Sequence, residues 1–117
     1  MKLSEVQRIL NANVHTAYEG WEDTEVTSAC GSDLMSDVLA FVKNQALLLT
    51  GLMNPQVIRT AEMMDIRVIV FVRGKEPGED VITLAKNMDM VILSTEMPLY
   101  VSCGKLYSAG LSGGGEE

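Results

Sequence analysis

The stretch VIRTAEMMDIRVIVFV, residues 57–72, runs from an amphipathic helix straight into an apolar, β-branched strand. The stretch VITLAKNMDMVILS, residues 81–94, repeats this plan, with Val, Ile, Ala, Met and Asp at the same offsets. Helix-to-strand units joined by short loops are typical of α/β proteins built around a parallel sheet. The repeat reflects either a duplication or the narrow choice of residues in amphipathic helices, and both readings predict an α/β sandwich. A solenoid is disfavoured because it needs about three repeats.

Patterns on both sides of the repeat extend this prediction along the chain. Ser4 with Gln7 predicts a capping box, and Asn54 followed by Pro55 predicts another helix start. The predicted helices are residues 5–11, 37–43, 55–65, 79–89 and 100–111, and the predicted strands are residues 14–18, 25–30, 45–50, 67–72 and 90–94. We expect one domain over residues 1–111, followed by a disordered tail at residues 112–117.

Composition and charge limit the class of protein. The chain has 117 residues, which is enough for one domain. Its net charge of −7 disfavours binding to nucleic acid or to an anionic membrane surface. No apolar run reaches the ~20 residues that span a bilayer, and the first residues lack the apolar core of a signal peptide. Cys30 and Cys103 are expected to be reduced thiols in a cytoplasmic protein, with a disulfide between them as the alternative.

Polar residues follow the predicted strands at their carboxyl ends, where ligands bind in open α/β sheets. The hydroxyls, glycines and two cations found there would suit a small anion or a nucleotide phosphate. The alternative is that they are ordinary loop and capping residues. The candidate ligand-binding residues are Thr50, Gly51, Asn54, Arg73, Gly74, Lys75, Ser94 and Thr95, and Gly31, Ser32 and Asp33 are expected to follow the earlier strand.

Sequence patterns for catalysis are missing. His15 is the only histidine, and no Gly-x-Ser-x-Gly motif supports a Ser-His-Asp triad. Gly74-Lys75 lacks the upstream Gly and the following hydroxyl of a P-loop, and no Gly-x-Gly-x-x-Gly follows a strand. Cys30 has no evident partner base that would make it a nucleophile. We therefore predict no catalytic residue, no metal site and no cofactor, and we do not expect an enzyme. A small enzyme that uses Cys30 or paired carboxylates is the remaining alternative.

Three stretches of the chain resemble a known family: LLLTG at residues 47–51, VFVRGKEP at residues 70–77 and ILST at residues 92–95. Over roughly residues 1–108, the chain resembles the DRTGG domain family, which is related to the N-terminal domain of HPr kinase/phosphorylase. In that family one apolar strand ends in Gly-Asp-Arg, and another ends in Thr-Gly-Gly with a Pro a few residues later. This chain has Leu52-Met53 in place of Asp-Arg, and Arg73-Gly74-Lys75 in place of Thr-Gly-Gly.

The resemblance implies a three-layer α/β/α sandwich with a mostly parallel central sheet, and a regulatory or architectural role. We accordingly expect a non-catalytic module that forms a homodimer or docks on a separately encoded enzyme. The alternative is a sensor that binds a nucleotide or another small anion at the strand ends. The candidate interface residues are Met97, Leu99 and Tyr100, and Trp21 is a further candidate contact.

Overall fold

The computed structural model describes residues 1–41 and 46–113, which form a five-stranded sheet between two layers of helices. The predicted α/β/α sandwich is therefore confirmed. In chain order the elements are α1 (Leu3–Leu10), β1 (Asn13–Thr16), a 3₁₀ turn (Trp21–Asp23), β2 (Ser28–Gly31), α2 (Met35–Phe41), β3 (Ala46–Thr50), α3 (Pro55–Met63), β4 (Val68–Phe71), α4 (Glu79–Asn87), β5 (Val91–Ser94) and α5 (Leu99–Ser108).

The sheet is mixed but mostly parallel, with strand order β1-β5-β4-β3-β2. The strands from β2 to β5 run parallel, so that Leu48 lies opposite Ile69, and Ile69 opposite Ile92. At one edge β1 pairs antiparallel with β5, and its register shifts between Val14 and Thr16. Because four strands are parallel, their carboxyl ends meet along one rim of the sheet.

Alternate residues of the central strands supply two separate apolar layers. Leu49, Val70 and Leu93 face the layer that contains α1 and α5. Leu48 and Ile69 face the opposite layer, which contains α2, α3 and α4. Every side chain of β3, β4 and β5 is buried, as a strand covered on both faces requires. Each large aliphatic side chain removed from water stabilises the fold by about 1.5–3 kcal/mol, so these strands are its main support.

The repeated sequence marks a helix ending that is used twice. Asp65 and Asp89 follow α3 and α4 in the left-handed conformation, with φ of 57° and 53°. The Ile66 N–H donates to the Ala61 carbonyl at 2.8 Å, and the equivalent bond in the second copy is 3.0 Å. This pattern is the Schellman turn, which satisfies carbonyls that the helix leaves free. Asp tolerates the left-handed conformation better than branched residues do, which explains the residue shared at this position.

The start of α1 differs from the prediction. Lys2 occupies the N-cap position in an extended conformation, and no side chain caps the helix. The capping box of Ser4 and Gln7 is therefore wrong, because Ser4 lies inside the helix. The Gln7 side chain instead donates to the Ala12 carbonyl at 3.3 Å, beyond the other end of the helix. Asn54 does precede α3, but its side chain makes no capping hydrogen bond.

Two other predicted boundaries meet the limits of the described residues. The expected end of α2 at residue 43 and the expected first residue of β3 at 45 lie outside them. In the segment predicted as a tail, the Ser112 carbonyl accepts a hydrogen bond from the Ala29 N–H at 2.9 Å. This pairing covers part of the outer edge of β2, while residues 114–117 lie outside the described residues.

Candidate functional site

The carboxylate of Asp33 is the centre of the polar rim. Asp33 follows β2, and its Oδ1 accepts the Gly51 N–H at 2.6 Å and the Thr50 hydroxyl at 3.2 Å. Its Oδ2 lies 3.2 Å from the Arg73 guanidinium, which reaches over from the end of β4. Three donors from the ends of two other strands thus meet on one anionic group. We call Asp33, Thr50, Gly51 and Arg73 the Asp33 cluster.

Local backbone geometry holds Arg73 over Gly51. Arg73 adopts a left-handed conformation with φ of 65°, which is uncommon for a residue other than glycine. Its N–H donates to the Met97 carbonyl, and the Gly74 N–H donates to the Thr95 carbonyl, both at 2.9 Å. A Cβ at residue 51 would collide with the guanidinium, so glycine allows the Arg73 side chain to lie this close to the end of β3. The loop after β4 is therefore tied to the loop after β5.

The contacts of Asp33 determine its protonation. The pKa of Asp33 is lowered from its ordinary value, chiefly by the hydrogen bond from the Gly51 N–H and then by the Arg73 charge and the hydroxyl of Thr50. Burial acts in the opposite direction. The carboxylate is therefore charged at neutral pH. The Asp33 carboxylate thus binds the same hydrogen-bond donors that, from the sequence, would suit a phosphate.

The other strand-end hydroxyls bond within the fold. The Thr95 hydroxyl is buried, donates to the Leu10 carbonyl at 2.7 Å and accepts the Met97 N–H at 3.3 Å. Ser94 is also buried, and its hydroxyl lies 2.7 Å from Nε2 of His15. Both hydroxyls therefore link β5 to the N-terminal part of the chain.

Ser94, His15 and Glu76 together do not make a catalytic triad. Glu76 lies 3.8 Å from the same Nε2 atom that contacts Ser94. A triad needs the hydroxyl on one ring nitrogen and the carboxylate on the other, so that the acid orients the base. In this arrangement both partners lie at Nε2, so the carboxylate does not orient the base.

The structure brings some of the candidate ligand-binding residues together and leaves others apart. Thr50, Gly51 and Arg73 meet in the Asp33 cluster. Asn54 and Lys75 are exposed, and Gly74 has its N–H bonded to Thr95. Asp33 is not among the residues that the sequence predicted to bind a ligand. Its position shortly after a predicted strand was the signal that could have identified it.

The candidate interface residues also point in different directions. Met97 and Leu99 pack against the core layer beneath α5, whereas Tyr100 is 89% exposed. Two further side chains of α5, Val101 and Tyr107, are 40% and 61% exposed. Of the three candidates, Tyr100 is therefore the exposed one, and the exposed face of α5 adds residues that the sequence did not single out. Trp21 is partly buried against the same core layer.

Both cysteines are free thiols. Cys30 and Cys103 are half-buried, and burial raises the pKa of each; the nearby Asp37 carboxylate adds to the effect for Cys30. A raised pKa leaves little thiolate, which does not suit a nucleophile.

Residues 1–41 and 46–113 contain no group of His, Cys, Asp or Glu side chains arranged to hold a metal ion. Of the helices in these residues, none has the length and apolarity to cross a membrane.

No family model and no curated protein matches the chain. Its fold matches a crystal structure described as the CBS and DRTGG domains of the regulatory region of Clostridium perfringens pyrophosphatase, complexed with the activator diadenosine tetraphosphate. The TM-score is 0.74 at 13% sequence identity, and the match covers 90% of this chain and 45% of that chain. The two proteins share a fold, and this chain spans less than half the length of that regulatory region.

Proposed function

We propose that this protein is a non-catalytic regulatory module that acts through protein–protein contacts and forms a homodimer. The observation that carries this proposal is the contrast between two surfaces. At the strand ends, the hydroxyls and the Arg73 guanidinium already have partners within the chain. On α5, Tyr100 and Tyr107 lie exposed. Exposed aromatic side chains are typical of interface cores, and two-fold dimers are the commonest assemblies.

The structural neighbour supports a regulatory role, because the matched region is described as regulatory rather than catalytic. By analogy, this module would influence the activity of an enzyme. The free, half-buried thiols of Cys30 and Cys103 support a cytoplasmic location.

Light scattering over a range of protein concentration tests the proposal. We expect a mass that rises from one chain, 12.8 kDa, toward two chains as the concentration increases. A mass that stays at one chain up to about a millimolar, the range of very weak association, would rule out self-association as the function.

A second candidate function is a sensor for a nucleotide or another small anion, and the Asp33 cluster favours it. A backbone N–H, a hydroxyl and a guanidinium that converge on one carboxylate are the donors that also bind phosphate. The neighbouring structure was obtained with a nucleotide activator. A phosphate would have to displace Asp33, so the affinity of the intact chain is reduced by this internal competition.

Thermal shift with a panel of adenine and guanine nucleotides tests the sensor. A ligand at about a hundred times its dissociation constant adds about 2.7 kcal/mol of stability. In a domain of this size, that raises Tm by about 10 °C or more. The shift should be lost in Arg73→Gln and kept in Arg59→Gln, which removes an exposed arginine on α3. No shift with any nucleotide, or an equal shift in both variants, contradicts binding at the Asp33 cluster.

A further inference from the structure

The exposed face of α5 is symmetric about a glycine. Tyr100, Val101, Tyr107 and Ser108 are exposed, and Gly104 lies between the two pairs along the helix. At 3.6 residues per turn, these positions span about a third of the helix circumference, with Gly104 near its centre. Among the described residues, three of the seven exposed large apolar side chains belong to this short face. We call these five residues the α5 face.

Contacts among residues 1–41 and 46–113 do not explain a glycine at position 104. It sits in the interior of α5, where glycine is a poor helix former, and its conformation does not require glycine. A Cβ built at residue 104 meets nothing within 4 Å. By contrast, Gly31 and Gly51 each lie against a neighbouring side chain that a Cβ would strike. A glycine that faces open space on a helix allows another helix to approach closely.

The distribution of charge along the chain bears on which partner fits the α5 face. The chain carries a net charge of −7, yet residues 97–113 contain no Asp or Glu. Two copies of such an acidic chain repel one another, and a face formed by residues without carboxylates adds no negative charge of its own to that repulsion. A cleft of about 1030 Å³ runs beside this face, and among the described residues its lining includes Arg8 and Lys105 but no carboxylate side chain.

We propose that the α5 face is the interface of a homodimer whose two-fold axis passes close to Gly104, with the two α5 helices antiparallel. This inference rests on the proposed function, since it names the surface through which the module self-associates. In the antiparallel arrangement, Tyr100 of each copy lies beside Tyr107 of the other, and Val101 lies beside Ser108. The aromatic side chains then pair with one another, and the small side chains allow the helix axes to approach.

The buried area predicts a dimer of modest strength. A tyrosine buries about 150–250 Å² in an interface, so the exposed parts of Tyr100 and Tyr107 supply about 300 Å² per copy. With the rest of the α5 face, the total over both copies is roughly 800–1,000 Å², at the lower limit for specific interfaces. We therefore expect a dissociation constant on the order of 10 μM, which tightens as salt screens the net charge.

Gly104→Glu is the decisive variant, because it places a side chain and a negative charge on the proposed axis. The added side chain meets open space in one copy, and Glu is a better helix former, so the monomer should fold and Tm should not fall. We expect light scattering to show a dissociation constant at least ten times that of the wild type, so that the monomer is favoured. Thr83→Glu, which adds the same charge at an exposed position on α4, should dimerise like the wild type. Tyr107→Ser is a second test that adds no charge, and it should also weaken the dimer about tenfold.

The outcomes separate the inference from the function on which it rests. A wild-type chain that stays monomeric overturns both. A wild-type dimer that persists in Gly104→Glu and Tyr107→Ser overturns the α5 interface and leaves self-association standing. A dimer lost equally in Thr83→Glu also overturns the interface, because net charge alone would then explain the effect. Loss in both α5 variants, with Thr83→Glu unaffected, supports it.

Discussion

Replacement of Asp33 by alanine should destabilise the fold measurably, although its side chain is 38% exposed. The variant leaves the buried Gly51 N–H without its acceptor, which should cost about 1.5 kcal/mol. Loss of the longer Thr50 bond adds about 0.5 kcal/mol, and loss of the partly exposed pair with Arg73 adds about 0.5 kcal/mol. The expected total is therefore about 2.5 kcal/mol, a large part of the stability of a small domain.

Urea unfolding followed by circular dichroism measures this change. With a slope of about 1.5 kcal/mol per M, a loss of 2.5 kcal/mol lowers the midpoint by about 1.7 M. Asp33→Asn keeps an oxygen for the Gly51 N–H and should lose only about 1 kcal/mol. Asp23→Ala, which removes an exposed carboxylate 3.5 Å from Lys2, is the matched control and should change stability by less than 0.5 kcal/mol.

The pH dependence gives an independent readout of the same contacts. Because the pKa of Asp33 is lowered on folding, its stabilisation is present above the ordinary value of 3.8 and is lost as pH falls below it. The difference between wild type and Asp33→Ala should thus stay constant from about pH 5 to 8 and shrink below about pH 4. If Asp33→Ala matches Asp23→Ala, or the difference does not change with pH, the Asp33 cluster does not stabilise the fold.

Two further predictions concern buried groups elsewhere. Thr95→Val should lower the free energy of unfolding by about 1–3 kcal/mol, because the Leu10 carbonyl loses its buried donor. The control Thr83→Val, on the exposed side of α4, should change this free energy by less than about 0.5 kcal/mol. Equal urea midpoints for the two variants would contradict the role of the Thr95 hydroxyl. Cys30 and Cys103 should react with a thiol-specific disulfide reagent at pH 7.5 more slowly than free cysteine, since burial raises the pKa of both thiols. In denaturant, their rates should approach the rate of free cysteine. A rate in the folded protein equal to or above that of free cysteine would refute this prediction.

Strong local patterns made much of the fold predictable. The strand at residues 67–72 was expected from its continuous apolar run, and β4 occupies Val68–Phe71. The helix starts at Pro55 and Glu79 were also expected, because proline and acidic residues favour a helix N-terminus. The weakly patterned N-terminal third was predicted less well. The strand expected at residues 25–30 is shorter and begins later, at Ser28–Gly31.

Sequence alone determined the class of fold and the rim where strand ends gather, because apolar periodicity depends on neighbours a few residues apart. Only the tertiary structure decided which strands pair and which polar groups meet. Asn13 lies opposite Ser94, and Asp33 reaches Arg73, through contacts between residues far apart in the chain. No local pattern encodes such distances, so the sequence could name Arg73 as a cation at the rim but not the carboxylate that occupies it.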